Sequence, residues 1–296
     1  MTESSMFAAL SAALEQQVRQ CAPLVAGLDW GGRHHISGLL WRQDVLVTSE
    51  QSLPDAEAYT ATLPGGARVP ATLAGRDPST NVAILRLEAH ASAPPLGEPA
   101  GVGALVQALG SDGTGGTMAR MGSIEVSGPA WESMRGGRID RLIRIGVYLS
   151  HASEGGPVVD TAGAVLGMST FGPRRQVLVI PSSTIARVVD GLLSQGRIAR
   201  GWLGAGLHPV ALPRELAERA GAAAGLMVVT LAEGAPAAAA LLPGDILLGI
   251  GGSPVTTPRA VAAALGPETI GQTVTLHVLR GGALVTPAVV IAARPA

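Results

Sequence analysis

The spacing of hydrophobic residues changes along the chain, and each change marks a new kind of element. Residues 6–20 place apolar side chains three to four positions apart, which predicts an amphipathic helix. From about residue 23 to 180 the apolar residues fall in short β-branched runs separated by Gly, Pro, Asp and Ser, as expected of strands joined by turns. So many short strands predict two small β-barrels. The runs are LVAGL, SGLLW, VLVTS, AYTATL, VPATLAG, VAILRL, ALVQALG, LIRIGV, PVVD, AVLGMS and QVLVIP.

The last third of the chain mixes helical and strand-like patterns. Residues 181–198 predict one helix, with Pro181 near its start and Gly196 as its C-terminal cap. Beyond it, runs such as GLMVVTL and TVTLHVLR predict strands, and the segments 213-PRELAERAG and 258-PRAVAAALG predict helices. We therefore expect an N-terminal helix at 1–20, a β domain at 21–198 and a smaller α+β domain at 199–296.

Charge limits the kinds of partner that the chain can bind. The formal net charge is -1 and Lys and Arg form no cluster. Because affinity for a phosphate backbone comes mostly from paired positive charge, nucleic acid is not an expected partner. The densest basic stretch, 135-RGGRIDRLIR, alternates around Asp140 and is predicted to be a strand with a solvated face.

Three observations bear on the cellular compartment. Cys21 is the single cysteine, so the chain has no internal disulfide, and we expect a buried apolar side chain there. The N-terminal segment lacks a basic start, and Ser11 and Glu15 interrupt its apolar run, so no signal peptide is predicted. No window approaches the length of apolar sequence that a membrane span requires. Together these observations predict a cytoplasmic protein without a membrane span.

Several motifs, taken in order, carry a family resemblance. They are VLVTSEQSL at 45–53, DPSTNVAIL at 77–85, EGGPVVDTAGAVLGMST at 154–170, GWLGAGL at 201–207 and LPGDILLGIGGSPV at 242–255. They resemble the HtrA (Deg) family of trypsin-like serine proteases, and the resemblance covers nearly the entire chain. It implies a mainly β fold, with a chymotrypsin-like double β-barrel followed by an α+β PDZ domain.

The resemblance also assigns a peptide-binding loop to the second domain. In PDZ domains, glycines let successive backbone N–H groups converge on the terminal carboxylate of a peptide, which adds as a strand to the sheet edge. The expected partners are therefore peptides or protein C-termini. The positions that match this loop are Gly201, Trp202, Leu203, Gly204, Ala205 and Gly206.

The three positions of the family's catalytic triad carry other residue types in this chain. The pattern Val-Val-Thr-x-x-His places the histidine base at Gln51, and Asp-Pro-x-x-Asp places the acid at Asn81. The pattern Gly-x-Ser-Gly-Gly-Pro places the nucleophile at Glu154. Glutamine cannot exchange a proton near neutral pH, and asparagine has no charge to stabilise an imidazolium. The resemblance therefore predicts a degenerate triad with no intact catalytic group.

Neighbouring residues also depart from the family pattern. Ala152 replaces the first glycine of the nucleophile loop, which affects the oxyanion hole, and Gly146 stands where the family often has Asp. Ser153 and His151 are an alternative nucleophile and base. Adjacent side chains on a tight turn point in different directions, so we expect Ser153 to hydrogen-bond the local backbone instead.

A metal site is the other chemical alternative for these residues. Glu154, Glu50 and His151, together with His34 and His35, offer oxygen and nitrogen ligands. Their spacing specifies no ligand set, so neither a metal nor a cofactor is predicted. Glycoside hydrolysis by a carboxylate pair is disfavoured because no aromatic residues suited to stacking on a sugar lie nearby.

The leading hypothesis is a catalytically inactive HtrA-like pseudoprotease. It binds peptides through its PDZ domain and acts as a scaffold, a chaperone-like holder or a regulator of an active protease relative. One alternative is an active trypsin-like serine endopeptidase of protein quality control with a rearranged site. Another is a structural or assembly protein that uses the barrel surface. The resemblance permits a trimer, but the N-terminus has no aromatic-rich arm, so a monomer or dimer is equally compatible.

Overall fold

The computed structural model describes residues 3–32, 34–89, 93–98, 101–195 and 201–293. The chain divides into two compact units, one of Met1–Trp131 with Arg138–Arg197 and one of Glu132–Gly137 with Ile198–Ala296. Among the residues described, no helix has both the length and the apolar character needed to cross a membrane.

The first unit contains two closed antiparallel barrels of six strands each, which confirms the predicted double β-barrel. The barrel strands are β1 Val25–Asp29, β2 His35–Arg42, β3 Val45–Ser49, β4 Tyr59–Thr62, β5 Arg68–Asp77, β6 Val82–Leu87, β7 Leu105–Ser111, β8 Thr117–Gly128, β11 Leu142–Ile145, β12 Pro157–Asp160, β13 Val165–Phe171 and β14 Val177–Pro181. Between β8 and β11 along the chain, β9 Trp131–Glu132 and β10 Arg138–Ile139 form a separate two-stranded sheet. The strand order is β1-β2-β3-β6-β5-β4 in the first barrel and β11-β14-β13-β12-β7-β8 in the second.

Each barrel closes around its own apolar core. Strand β3 is buried along its whole length, which explains why VLVTS is a continuous run. Leu28, Leu46 and Leu85 are buried in the first core, and Ile143 and Val158 in the second. This packing fixes the strand ends from which the candidate site is built.

The hydrophobic pattern does not reveal the 12-residue strand β8, and the basic stretch that follows it is not one strand. Strand β8 has mostly half-exposed or exposed side chains, so it lacks an apolar run, and its pairing with β7 defines it. The prediction of one strand over 135–144 is wrong. Gly136 has a φ of 76° in the turn after β9, and two short strands, β10 and β11, follow.

Two helices belong to the first unit, α1 Glu3–Cys21 and α2 Ser182–Gln195. Both confirm predicted helices, although Pro181 ends β14 rather than starting α2, and Gly196 lies outside the described residues. Helix α2 buries Ile185 and Val188 against the barrels. Cys21 is buried as expected, and this burial raises the pKa of its thiol.

The second unit has a sheet of order β16-β17-β18-β20-β21, in which β16 is an edge strand. Its core includes Leu226, Leu247 and Leu276. Its elements are β15 Gly201–Trp202, β16 Ala205–Ala211, α3 Arg214–Ala220, β17 Ala224–Leu231, β18 Ile246–Ile250, β19 Ser253–Pro254, α4 Pro258–Ala264, β20 Thr273–Arg280, β21 Ala283–Val285, β22 Ala288–Val290 and β23 Ala292–Ala293.

Candidate functional site

Glu154 begins a glycine turn that packs tightly against neighbouring strands. Gly155 has a φ of 90°, and a Cβ there would lie 2.2 Å from the carbonyl oxygen of Ser37. A Cβ on Gly156 would lie 2.0 Å from the carbonyl oxygen of Leu109. No side chain fits at either position, so packing alone requires both glycines. The family pattern is therefore retained here for a structural reason that does not depend on catalysis.

The side chain of Glu154 is 1% exposed, and hydrogen-bond donors surround its carboxylate. A carboxylate can be buried without a paired cation only if such donors replace its hydration. Five donors thus satisfy the buried carboxyl group of Glu154, the residue that the motif count aligns with the family's nucleophile. Oε1 accepts from Ser49 Oγ at 3.0 Å, Gln51 Nε2 at 2.7 Å, Thr170 Oγ1 at 2.8 Å and the Phe171 N–H at 3.2 Å, and Oε2 accepts from Ser52 Oγ at 2.5 Å.

Asn81 organises these donors. Its Nδ2 donates to Ser49 Oγ at 3.0 Å and to Thr170 Oγ1 at 2.7 Å, and both hydroxyls donate onward to Glu154. Its Oδ1 accepts from the backbone N–H of Gln51 at 2.7 Å. An aspartate would have no N–H to donate and would add a second carboxylate to the network. The residue types at positions 51, 81 and 154 are therefore mutually compatible.

Local structure presents Asn81 to this network. Asn81 has a φ of 60°, a conformation that asparagine tolerates better than most residues. The preceding turn is fixed by the buried carboxylate of Asp77, which accepts from the Ser79 N–H at 3.0 Å and from Thr80 Oγ1 at 2.7 Å. The segment DPSTN is thus an ordered turn that leads into β6.

The backbone N–H of Glu154, which would be an oxyanion-hole donor if residue 154 were the nucleophile, is hydrogen-bonded within its own loop. A serine protease stabilises its oxyanion with the N–H of the nucleophile residue and the N–H of the residue two positions before it. Here His151–Ser153 form a 3-10 turn, and the Glu154 N–H donates to the His151 carbonyl at 3.1 Å. In this conformation, that N–H is therefore engaged within the turn.

Ser153 and His151 do not form a nucleophile and base pair. Ser153 Oγ hydrogen-bonds Ser150 Oγ at 2.9 Å, rather than the backbone as predicted, and the residue is 6% exposed. The ring of His151 packs edge-on against Phe171 with a centroid distance of 5.2 Å. Its Nδ1 lies 3.9 Å from Glu154 Oε2.

The structure does not gather the possible metal ligands. His35 Nε2 contacts the Ser111 carbonyl at 3.1 Å, and Glu50 lies 3.7 Å from the guanidinium of Arg76. Within the described part of the chain, no three His, Cys, Asp or Glu side chains converge. The geometry gives no support to the metal alternative.

The second unit contains an open groove of about 280 Å³ beside the predicted peptide-binding loop. Residues 201–205 form part of its wall, and Leu207 of β16, Val261 of α4 and Arg135 also line it. Gly206 is not part of this wall and pairs with Thr230 in the sheet.

Two backbone donors of this loop are available to a ligand. In the bonds formed among the described residues, the N–H groups of Leu203 and Gly204 have no partner. Gly204 has a φ of 73°, and a Cβ there would lie 2.3 Å from Ala235 Cβ. The loop therefore needs glycine at position 204 to hold this conformation.

Sequence reasoning missed the hydroxyl donors Ser49, Ser52 and Thr170 and the backbone N–H of Phe171. The sequence does contain clusters of hydroxyl residues, TSEQS at 48–52 and ST at 169–170, and the first of them includes the predicted triad position 51. Such hydroxyls cannot be distinguished from ordinary strand-end residues until the fold brings them to Glu154.

Family models agree with the two units. Residues 36–168 match the model of the trypsin-like peptidase domain, and residues 201–291 match that of the PDZ domain. The chain is therefore a trypsin-like peptidase fold followed by a PDZ domain.

Individual relatives show which trypsin-like peptidases the chain is similar to. A Brucella suis protein named "Probable periplasmic serine endoprotease DegP-like" is 32% identical over 275 residues, which cover 88% of this chain and 52% of the relative. A protein of the same name from Rhizobium meliloti is 30% identical over 261 residues, covering 83% of this chain and 51% of the relative. The chain thus spans about half the length of the curated relatives it matches.

Solved structures lead to the same family. The HtrA-type protease AlgW with tripeptide has a TM-score of 0.72 at 27% identity, covering 95% of this chain and 97% of that one. A variant of AlgW with decapeptide has a TM-score of 0.77 at 25% identity, with the same coverage of both chains. The chain is a homologue of the HtrA-type serine proteases.

These comparisons contradict the predicted cytoplasmic location, because the curated relatives are named periplasmic. The lone cysteine did not discriminate between compartments. A barrel that folds around an apolar core without a disulfide is stable in an oxidising or a reducing environment.

Proposed function

We propose that this chain is a catalytically inactive HtrA-like protein that holds peptides without cleaving them. The observation that carries the proposal is the buried Glu154 carboxylate, held by five donors at the position of the family's nucleophile. Acyl transfer requires a nucleophile, a base within hydrogen-bond reach and oxyanion donors. Gln51 cannot act as a base, and the Glu154 N–H is engaged by His151.

Peptide capture is assigned to the PDZ groove. The unpartnered N–H groups of Leu203 and Gly204 suit a terminal carboxylate, and β16 is an edge strand to which a peptide can add. Leu207, Val261 and Leu265 provide apolar contacts within the groove, so an aliphatic C-terminal side chain fits there, and Arg135 also lines it. The peptide-bound HtrA-type neighbours support this role, and the names of the relatives support a periplasmic location.

The test uses the full chain and a fluorescent peptide that ends in valine, with either a free carboxylate or a C-terminal amide. The free acid should bind at least about tenfold more tightly, since the amide loses a charge-assisted hydrogen bond. Mass spectrometry after prolonged incubation should find the peptide intact. Cleavage of the peptide, or equal affinity for the two forms, would contradict the proposal.

Two glycine variants provide a matched control for the location of the groove. Gly204 and Gly234 have φ values of 73° and 68°, but only at Gly204 would a Cβ meet a neighbour within 4 Å. Gly204→Ala should therefore abolish tight binding, whereas Gly234→Ala should retain it. Equal effects would indicate general destabilisation of the domain rather than loss of the loop.

A further inference from the structure

A second open pocket lies in the first unit, close to the covered catalytic position. It has a volume of about 500 Å³, and its walls are the segments 146–148 and 175–177. Arg144 and Glu125 complete the lining. The guanidinium of Arg175 stands 5.1 Å from the ring of Phe171, whose own N–H donates to Glu154. The pocket therefore adjoins the site described above but is not filled by its network.

The lining of this pocket carries an excess of positive charge. Arg144 Nε pairs with Glu125 Oε2 at 3.1 Å, which uses the single carboxylate of the lining. No carboxylate among the described residues lies within ion-pair distance of Arg175. Its contact with Phe171 orients the guanidinium without neutralising it. The exposed ring of Tyr148 adds an apolar wall with a hydroxyl at its end.

The turn that carries Arg175 adopts an unfavourable backbone conformation. Arg174 and Arg175 have φ values of 56° and 58°, and the Gln176 N–H closes the turn on the Pro173 carbonyl at 3.3 Å. This is the geometry of a hairpin turn in which Asn-Gly is preferred, because both central residues are left-handed. Arginine at both positions costs stability in the backbone, so these side chains require an explanation beyond the turn itself.

An unpaired stretch of backbone borders the same pocket. Within the described structure, Val147, Tyr148 and Leu149 form no backbone hydrogen bond. Tyr148 is 72% exposed and Val147 is half-buried, whereas Leu149 is buried in the core, so an extended chain can approach this stretch at residues 147 and 148. Unpaired backbone of this kind is the usual basis for binding a peptide as an added strand.

We propose that this pocket binds the carboxylate side chain of an acidic residue in an extended polypeptide. The backbone of residues 147 and 148 aligns the chain, and Arg175 receives the carboxylate. Guanidinium groups suit this role because they bind carboxylates through paired N–H donors. The inference rests on the proposed peptide-holding function and assigns it a second point of contact with a stated chemistry.

Two short fluorescent peptides test this inference on the full chain. They are identical except for a central Glu or Gln, and both ends are blocked so that the PDZ loop has no terminal carboxylate to bind. The Glu peptide should bind about fivefold more tightly at low salt, a modest preference because the pocket is open to solvent. Arg175→Gln should abolish this preference. Arg174→Gln changes the same turn at a residue outside the pocket lining and should preserve it.

Several results would overturn the inference. They are equal affinity for the two peptides, equal effects of the two arginine variants, or no binding of either peptide at millimolar concentration. The assay separates this failure from that of the proposed function. Cleavage of either peptide would refute inactivity, and unchanged binding of a peptide with a free C-terminus would leave PDZ capture intact.

Discussion

The two regions of this chain that resemble peptide-binding sites differ in the use of their hydrogen-bond donors. Around Glu154, hydroxyl, amide and backbone donors all end on a side chain of the protein itself. In the PDZ groove, the N–H groups of Leu203 and Gly204 have no partner among the residues described. Satisfied donors stabilise the fold, whereas unsatisfied donors at an open groove remain available to a ligand.

In the barrel site, the Glu154 carboxylate therefore acts as an internal acceptor for the surrounding donors. The motif count aligns Glu154 with the nucleophile of the family, and the proposal of an inactive site rests on this alignment. Asn81 fits this arrangement because its amide supplies donors that an aspartate lacks. Two kinds of variant test this difference. One removes the Glu154 carboxylate, and the other introduces the family's His, Asp and Ser at positions 51, 81 and 154.

The largest expected effect is on stability. Glu154→Ala removes the acceptor of the buried Ser49 and Thr170 hydroxyls, and should lower the free energy of unfolding by about 3 kcal/mol. Chemical denaturation of the full chain measures this change. Formate should restore part of the loss because it can occupy the vacated carboxylate position.

A surface carboxylate provides the control for this variant. The side chain of Glu15 is 66% exposed and pairs with Arg19 on the same helix. Its replacement by alanine should cost less than about 0.5 kcal/mol. If Glu154→Ala is no more destabilising than Glu15→Ala, the donors around Glu154 do not stabilise the first unit.

The next largest effect is on the peptidase activity of variants that carry the family's catalytic triad residues. Gln51→His, Asn81→Asp and Glu154→Ser together should give no measurable peptidase activity, because the N–H at position 154 is bonded to His151. Adding Ala152→Gly should allow the loop to turn and make turnover measurable, because one oxyanion donor typically contributes about a hundredfold to the rate. Hydrolysis of a fluorogenic peptide measures both variants. Full activity in the triple variant would show that the loop was already competent.

The smallest effect is a pH dependence within the PDZ domain. Hydrogen bonds from Arg280 hold the pKa of the Asp245 carboxyl below its ordinary value of 3.8. Since the folded pKa is the lower one, this stabilisation is present above pH 3.8 and is lost as the pH falls through the folded pKa. Hydrogen exchange in β18 should accelerate in that range, and Asp245→Asn should remove this acceleration. The same acid response in both proteins would contradict the assignment.

The double barrel and most of its strands could be predicted because their cores consist of apolar runs, as in VLVTS and VAILRL. Strand β8 could not be predicted, since its pairing with β7 defines it and its side chains remain largely outside the core. The split of the basic stretch into two strands depended on the turn at Gly136, which the alternation of residues concealed.

The candidate site was accessible to sequence reasoning only in part. Counting along motifs selected Gln51, Asn81 and Glu154, and the structure brings these three together. Sequence could not reveal that Thr170 joins them from another strand, or that the Glu154 N–H turns back to His151. These features depend on the direction of hydrogen bonds, which no residue pattern specifies.

The most direct test of the central claim is covalent labelling by a serine-reactive fluorophosphonate, read by intact mass on the full chain. An active HtrA-type protease serves as the positive control. The account predicts no adduct, because Ser153 is buried beside Ser150 and has no base. A single adduct on Ser153, together with degradation of an unfolded protein, would contradict it.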